Sequence, residues 1–300
     1  MERLAELHVH LEGTVTPEIA CELNRRISLD EARAMYAFDD FRGFIRSYIW
    51  ANEQIKGPAE YVHILRRQIE AFQKQGVVYA ELNLSVGMIV WKEQDFAGIF
   101  DALEREACAS PVRIRWIFDA VRQFGEGPGM KVAQLAAERR ERGVVGFGFG
   151  GDEARGPAEW FKEVSRYAID NSLAVIPHAG ETVGPESIWG ALECGARRIG
   201  HGIRAIDDPI LMRHLAKEEI PLEVSITSNL CTGAVQALAE HPVRKLFDAG
   251  VPITLNTDDP GFFRTSLRRE YQLAKNVFRF SDAELERIAE NGFRFAIDAG

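Results

Sequence analysis

Eight short apolar stretches, each followed by a run with helical spacing, recur along this chain and limit what it can fold into. They are Ala5–His10, Val77–Ser85, Arg113–Asp119, Val144–Gly150, Leu173–His178, Arg197–His201, Pro221–Ile226 and Val251–Thr257. Each is short and rich in β-branched or aromatic residues, as strands buried on both faces are. Strands alternating with helices pair in parallel, and eight such units predict a closed α/β barrel of the (β/α)8 TIM type. A doubly wound open sheet alternates too, but it usually carries a glycine-rich phosphate loop after its first strand. Here that strand ends in His8-Val9-His10. The 300 residues are many for one domain, yet barrels reach this size as single units. No Gly/Ser linker or charge block divides them, so 1–300 reads as one barrel domain.

The helical signals support the alternation. Thr16-Pro17-Glu18 is a start signal, with a capping hydroxyl, proline at the first helical position and an early acid. Phe41, Phe44, Ile45, Tyr48 and Ile49 recur at helical spacing, as do Tyr61, Ile64, Leu65, Ile69 and Phe72, and Gly57-Pro58 separates the two runs. All lie between strands one and two, in an insertion far longer than one returning helix. It leaves the C-terminal face, where barrel enzymes hold their active sites. A lid over the pocket and extra helices packed on the barrel flank are both open readings.

Composition excludes several function classes. Lys plus Arg number 36 against 45 Asp plus Glu, a net charge of −9, so no basic field exists to hold nucleic acid or an anionic membrane. Cys21, Cys108, Cys194 and Cys231 are far apart with no C-x-x-C pair, which argues against a disulfide framework or a thiolate zinc site. The start, Met1 to Glu6, lacks the apolar stretch of a signal peptide, and no apolar run reaches the ~20 residues of a membrane span. A soluble, cytoplasmic protein is expected.

Polar residues collect at the strand ends. His8 and His10 alternate with Leu7 and Val9, so both imidazoles project from one face, the interior of a barrel. His178 ends strand five, His201 ends strand six, and Asp258-Asp259 follow strand eight. Three histidines and a carboxylate drawn from such positions suit one divalent metal, zinc first. Glu181, three residues after His178, is placed to move protons between water and a substrate, although an acid at a helix start has the same appearance. Gly148-Phe149-Gly150-Gly151 allows close approach of a ligand to backbone N–H groups. His63, His214 and His241 lack this context and read as helix or surface residues. No lysine ends strand four to bridge two metals, and there is neither a Walker A loop nor a G-x-S-x-G elbow.

With these blocks in view, the chain resembles the adenosine/adenine deaminase family of the amidohydrolase superfamily, nearly end to end. The resemblance rests on Glu6-Leu7-His8-Val9-His10-Leu11-Glu12-Gly13, Gly151-Asp152-Glu153, His178-Ala179-Gly180-Glu181, Arg198-Ile199-Gly200-His201-Gly202, Ser228-Asn229-Leu230-Cys231-Thr232-Gly233 and Asn256-Thr257-Asp258-Asp259-Pro260, in that order. It implies one zinc ion held by His8, His10, His178 and Asp258. It also implies that Glu181 protonates a purine ring nitrogen, and that His201 and Asp258 orient the attacking water. The Gly151 N–H and the Asp259 side chain would hold other purine nitrogens, with His10 beside the base. Phe44, Ile45 and Tyr48 match the family's apolar lid. The implied reaction replaces the 6-amino group of a purine nucleoside, adenosine or adenosine-like, by oxygen, with loss of ammonia.

Two departures bear on the substrate. Adenosine deaminases usually carry Asp where this chain has Glu12, one methylene and about 1.3 Å longer, in the region of the ribose 5′-hydroxyl. Asn83-Leu84-Ser85-Val86-Gly87-Met88 also departs from the family's more polar version, and resembles the branch acting on 6-aminodeoxyfutalosine. That nucleoside and free adenine are the alternative substrates. A non-deaminating metal hydrolase and a non-catalytic nucleoside-binding barrel are the remaining readings. The chain stops at Ala299-Gly300, where members of the family usually continue for another helix; a more exposed barrel flank and a trimmed chain end are both open readings.

Overall fold

The computed structural model describes residues 3–297; Met1, Glu2 and the terminal Asp298-Ala299-Gly300 lie outside the described residues. The strands are β1 (Leu4–His10), β2 (Val77–Leu84), β3 (Arg113–Val121), β4 (Val144–Gly150), β5 (Ala174–Val175), β6 (His178–Ala179), β7 (Ile199–His201), β8 (Leu222–Val224) and β9 (Ile253–Leu255). They form two parallel runs, β1-β2-β3-β4-β5 and β6-β7-β8-β9. β5 and β6 are two halves of the fifth barrel position, interrupted at Ile176-Pro177. Pairing passes across the interruption, because Ile176 N donates to Phe147 O and Gly200 N donates to the Pro177 carbonyl, each at 2.9 Å. The ring closes between the two chain ends. Val9 bridges Asp258 in parallel, His10 N donates to Asp258 O at 2.9 Å, and Asp258 N donates to His8 O at 3.1 Å. The expected α/β barrel is present.

Its second half is leaner than the periodicity predicts. The stretches expected over 173–178, 197–201, 221–226 and 251–257 contain strands of two or three residues. Pro177 interrupts the first of these and Pro221 and Pro252 stand at the starts of the last two, and a proline has no N–H for the ladder; the stretch 197–201 contains none. The proline carbonyls still accept: Ile199 N bonds Pro221 O, and Leu222 N bonds Pro252 O.

The insertion after β1 contributes helices Pro17–Leu23, Leu29–Met35, Phe41–Asn52 and Pro58–Gln75. Thr16 caps the first, accepting from Ile19 N at 3.2 Å, with Pro17 in the first turn. Both readings of the insertion hold, for different helices. Pro58–Gln75 buries Tyr61, Ile64, Leu65, Ile69 and Phe72 and packs on the flank beside helix Phe96–Cys108. Phe41–Asn52 instead lies across the C-terminal face. Phe44 packs on Phe262 and Phe263, Tyr48 packs on Phe262, and the Tyr48 hydroxyl meets Ser85 Oγ at 3.1 Å. Ile45 packs against the same core from a half-buried position. Ser85 follows β2, and Phe262 follows the residues that end the barrel at Asp259, so this helix covers the mouth.

The N-terminal end of the barrel is plugged. Helix Asp282–Arg294 runs against β1 and β9, and Phe293, Phe295 and Ala296 cover Ala5, Leu7 and Tyr79. Within the barrel the inward positions are polar and bonded to one another. Arg198 pairs with Glu81 and Glu223, and donates to Phe295 O at 2.8 Å, while Ile297 N donates to Glu81 at 2.7 Å. Among the described residues no helix is long and apolar enough to cross a membrane.

Candidate active site

His8 and His10 leave β1 on the inward face, as the alternation requires, and β6 delivers His178 opposite them. Asp258 arrives after β9 with φ of +64°, and His201 ends β7 with φ of +63°. Both are left-handed, a conformation that costs a residue with a Cβ and concentrates at functional sites. Space for the imidazoles comes from glycine: a Cβ on Gly200 would lie 2.7 Å from His8 Cε1.

His8, His10, His178 and Asp258 each offer a ligand atom, and the four atoms lie within 4.8 Å of one another. Asp258 Oδ1 is 3.5 Å from His8 Nε2 and 3.3 Å from His10 Nε2, and the Nε2 atoms of His10 and His178 are 3.0 Å apart. Such spacings suit one ion with bonds of about 2.0–2.2 Å to each atom. His8 Nδ1 donates to Glu223 Oε2 at 2.7 Å, while His8 Nε2 is buried without a hydrogen-bond partner. That combination leaves a lone pair aimed into the cluster, with the ring orientation set by the carboxylate behind it. Burial, against the pull of Asp258, brings the His10 imidazole down to about 4, and burial with the neighbouring imidazoles takes His178 well below its ordinary value. Both are therefore neutral, the ligating form. Burial also works against a charge on His8, yet the carboxylates of Asp258 and Glu223 raise it well above its ordinary value. The pocket thus favours positive charge between its carboxylates, which a divalent cation supplies. These residues form a metal site.

The two oxygens of Asp258 have different surroundings. Oδ1 faces the ligand histidines; Oδ2 accepts from Ser228 Oγ at 2.6 Å and lies 3.9 Å from His201 Nε2. Burial would raise the Asp258 pKa, but contact with His8, His201 and His10 holds it well below the usual range. Glu181 completes the group, with Oε2 at 3.6 Å from His201 Nε2 and Oε1 accepting from Thr232 Oγ1 at 3.1 Å. Burial raises its pKa, against the pull of His201. Asp259 is buried too, and burial together with Asp258 pushes it well above the usual range. Its Oδ1 is buried without a hydrogen-bond partner, close against Gly13. Gly151 lies just past β4 with φ of +106°.

Other expected residues are placed differently. Glu12 is fully buried and already engaged, accepting from Ser85 N and the Tyr61 hydroxyl, both at 3.2 Å. His63 lies on an exposed helix face against Glu22, and His214 sits beside the Trp189 ring, as expected. His241 does not conform: it is 4% exposed and bonded to Asn229. A histidine before a proline in a loop reads as surface, and only the tertiary fold buries it.

Several supporting residues escaped the sequence reading. Glu223 holds His8. Asp119, bonded to Asn83 Nδ2 at 2.9 Å, stands 3.4 Å from His10 Nδ1. Glu223 had a signal, an acid between Leu222 and Val224 in an apolar strand, which alternation turns inward. Arg122 had none, because its partners are the backbone carbonyls of His178 and Gly156; Glu153 belongs to the Gly151-Asp152-Glu153 block, but nothing local marks the loop N–H groups that it receives.

Residues 4–298 match the family described as adenosine deaminase. The chain belongs to that family. It is an aminohydrolase, and the chemistry of its family is metal-dependent deamination of an aminopurine. An aminodeoxyfutalosine deaminase of Streptomyces avermitilis is 39% identical over 302 residues, covering 96% of this chain and 84% of that protein. An adenine deaminase of Rhizobium meliloti is 32% identical over 301 residues, covering 97% and 93%. The crystal structure of an adenine deaminase from Arthrobacter aurescens superposes with a TM-score of 0.91 at 26% identity, covering 98% of this chain and 93% of that one.

Proposed function

We propose that this chain is a zinc-dependent aminohydrolase whose substrate is 6-aminodeoxyfutalosine, a 6-aminopurine nucleoside with an aromatic acid at its 5′ end. The observation that carries the reaction class is the juxtaposition of a four-ligand metal cluster with Glu181 and His201. The substrate choice is supported by the 39% identity to an aminodeoxyfutalosine deaminase over 96% of the chain. Glu12 agrees with it, because a carboxylate tied to Ser85 and Tyr61 is a wall rather than a free acceptor for a ribose 5′-hydroxyl. The 32% identity to an adenine deaminase favours free adenine as the second reading.

Zinc bound at His8, His10, His178 and Asp258 would lower the pKa of a coordinated water to about 7 and so supply a nucleophile at neutral pH. Asp258 Oδ2 and His201 Nε2 stand together to orient the attacking water, and Asp258 takes up its proton. Glu181, its pKa raised by burial, donates to the ring nitrogen beside the amino-bearing carbon and makes that carbon electrophilic. The Asp259 carboxyl and the Gly151 N–H hold other ring nitrogens. Phe44, Ile45 and Tyr48 close over the ligand and exclude bulk water. One water is consumed, and the 6-oxopurine and ammonia leave.

Ammonia release measured as kcat/KM on adenosine, adenine, 5′-deoxyadenosine, 5′-methylthioadenosine and 6-aminodeoxyfutalosine tests the assignment. Preference for 6-aminodeoxyfutalosine is expected. Turnover concentrated on adenine would replace it with the second reading, and silence on every compound with zinc bound would remove the purine.

A further inference from the structure

Behind His201, away from the metal ligands, three polar groups form a chain with a fixed direction. Val243 N donates to His241 Nδ1 at 3.2 Å. His241 Nε2 meets Asn229 Oδ1 at 3.1 Å, and Asn229 Nδ2 meets His201 Nδ1 at 3.1 Å. Asn229 is fully buried and His241 nearly so.

A backbone N–H can only donate, so His241 Nδ1 accepts and carries no proton. The His241 proton is then on Nε2 and is given to Asn229 Oδ1. The Asn229 amide is thereby oriented, and its Nδ2 donates to His201. His201 Nδ1 must accept, which puts the His201 proton on Nε2. The front of the ring agrees: Nε2 lies 3.9 Å from Asp258 Oδ2, an ionised acceptor that a bare nitrogen would repel.

We propose that His241 and Asn229 are positioning residues that lock His201 in the tautomer with its proton on Nε2, so that His201 meets the reaction centre only as a donor. Burial, with the nearby His201, brings the His241 imidazole down to about 3, so it stays neutral and retains the acceptor nitrogen that starts the chain. The consequence for turnover rests on the aminohydrolase reading above; the tautomer does not.

The test is the imidazole nitrogen spectrum of zinc-loaded protein labelled with 15N-histidine, the His201 signals being assigned from their loss in His201→Asn. Wild-type protein is expected to show His201 with Nδ1 bare and Nε2 protonated. Asn229→Asp nearly preserves shape but offers acceptors to both rings, and is expected to move the His201 proton to Nδ1. Zinc content should not change, and kcat should fall by up to about 10⁴-fold, the loss known when a catalytic histidine is held in the wrong tautomer. His241→Gln, whose amide can still donate to Asn229 Oδ1, should retain the wild-type His201 pattern and most of the rate. A bare Nε2 on wild-type His201, or an unchanged His201 spectrum in Asn229→Asp, would overturn the proposal. The expected spectra together with no ammonia from any aminopurine would uphold the relay and remove the purine reading instead.

Discussion

Glu153 holds Glu181 by the backbone. Its Oε2 accepts from the N–H groups of Glu181 at 3.2 Å, Thr182 at 2.7 Å and Val183 at 2.9 Å, while Oε1 accepts from Ser187 Oγ at 3.0 Å. One buried carboxylate thus anchors the loop that presents another. Glu153→Ala removes both acceptor oxygens, so the loop loses all of these bonds and shifts. Misplacement of a reacting group by about 1 Å can cost about 10²-fold. A fall in kcat of that order is expected with zinc content unchanged, and an unaltered kcat would reduce Glu153 to a stability role.

The same carboxylate carries a pH signature. Burial raises its pKa, but Arg122 and the Val183 and Thr182 N–H groups prevail and hold it below the ordinary 4.5. A folded-state value lower than the unfolded one contributes stability that is fully present above 4.5 and is lost as pH falls through the depressed value. The stability difference between wild type and Glu153→Gln, measured by denaturant titration, should therefore shrink as pH falls below 4.5. A difference independent of pH would show that the Glu153 charge contributes nothing.

Glu223 stands behind His8 and fixes which imidazole nitrogen faces the ion. Partners of this kind are worth about 10–100-fold in metal affinity. Glu223→Gln should weaken zinc by that factor in a chelator competition, with far-ultraviolet circular dichroism unchanged. Equal affinity would mean that packing alone orients His8.

Arg198 lies between Glu81 and Glu223, all three fully buried. Removing one partner of a buried ion pair leaves an uncompensated charge and costs about 3–5 kcal/mol. Arg198→Met should lower stability by that amount and loosen the contact between Glu81 and the Ile297 N–H. Thermal denaturation measures the first, and protease sensitivity near the C-terminal end measures the second.

Glu181→Gln should retain zinc and purine binding and lose turnover by several orders of magnitude. Burial raises the Glu181 pKa, and the protonated form is the active one, so the wild-type rate should fall as pH rises through that elevated value. The residual rate of the variant should lack this limb. Near-normal rates in Glu181→Gln would exclude Glu181 as the proton donor.

Much of the site is legible in the sequence, and the reason is geometric. Period-two alternation sends His8 and His10 to one face, and a barrel leaves one interior for that face to enter. His178, His201 and Asp258 announce themselves in the same way, as polar residues where apolar runs end. The strands after Val175 were overdrawn, because apolar periodicity does not register that Pro177, Pro221 and Pro252 interrupt the ladder. His241 was misplaced because nothing local distinguishes a buried loop histidine from an exposed one.

Local pattern decides the type of each element and the face from which a side chain leaves it, since both follow from backbone periods of 2 and 3.6 residues. It does not decide which side chains then meet. Glu223 reaches His8 across 215 residues of chain, and Glu153 receives three N–H groups from a loop about 30 residues on. Such pairs depend on barrel closure, where His10 N and Asp258 N exchange bonds with Asp258 O and His8 O. A one-residue change of register there would turn every inward group outward. The kinds of ligand at the strand ends were therefore written in local order, while the carboxylates and amides that aim them came from long-range packing.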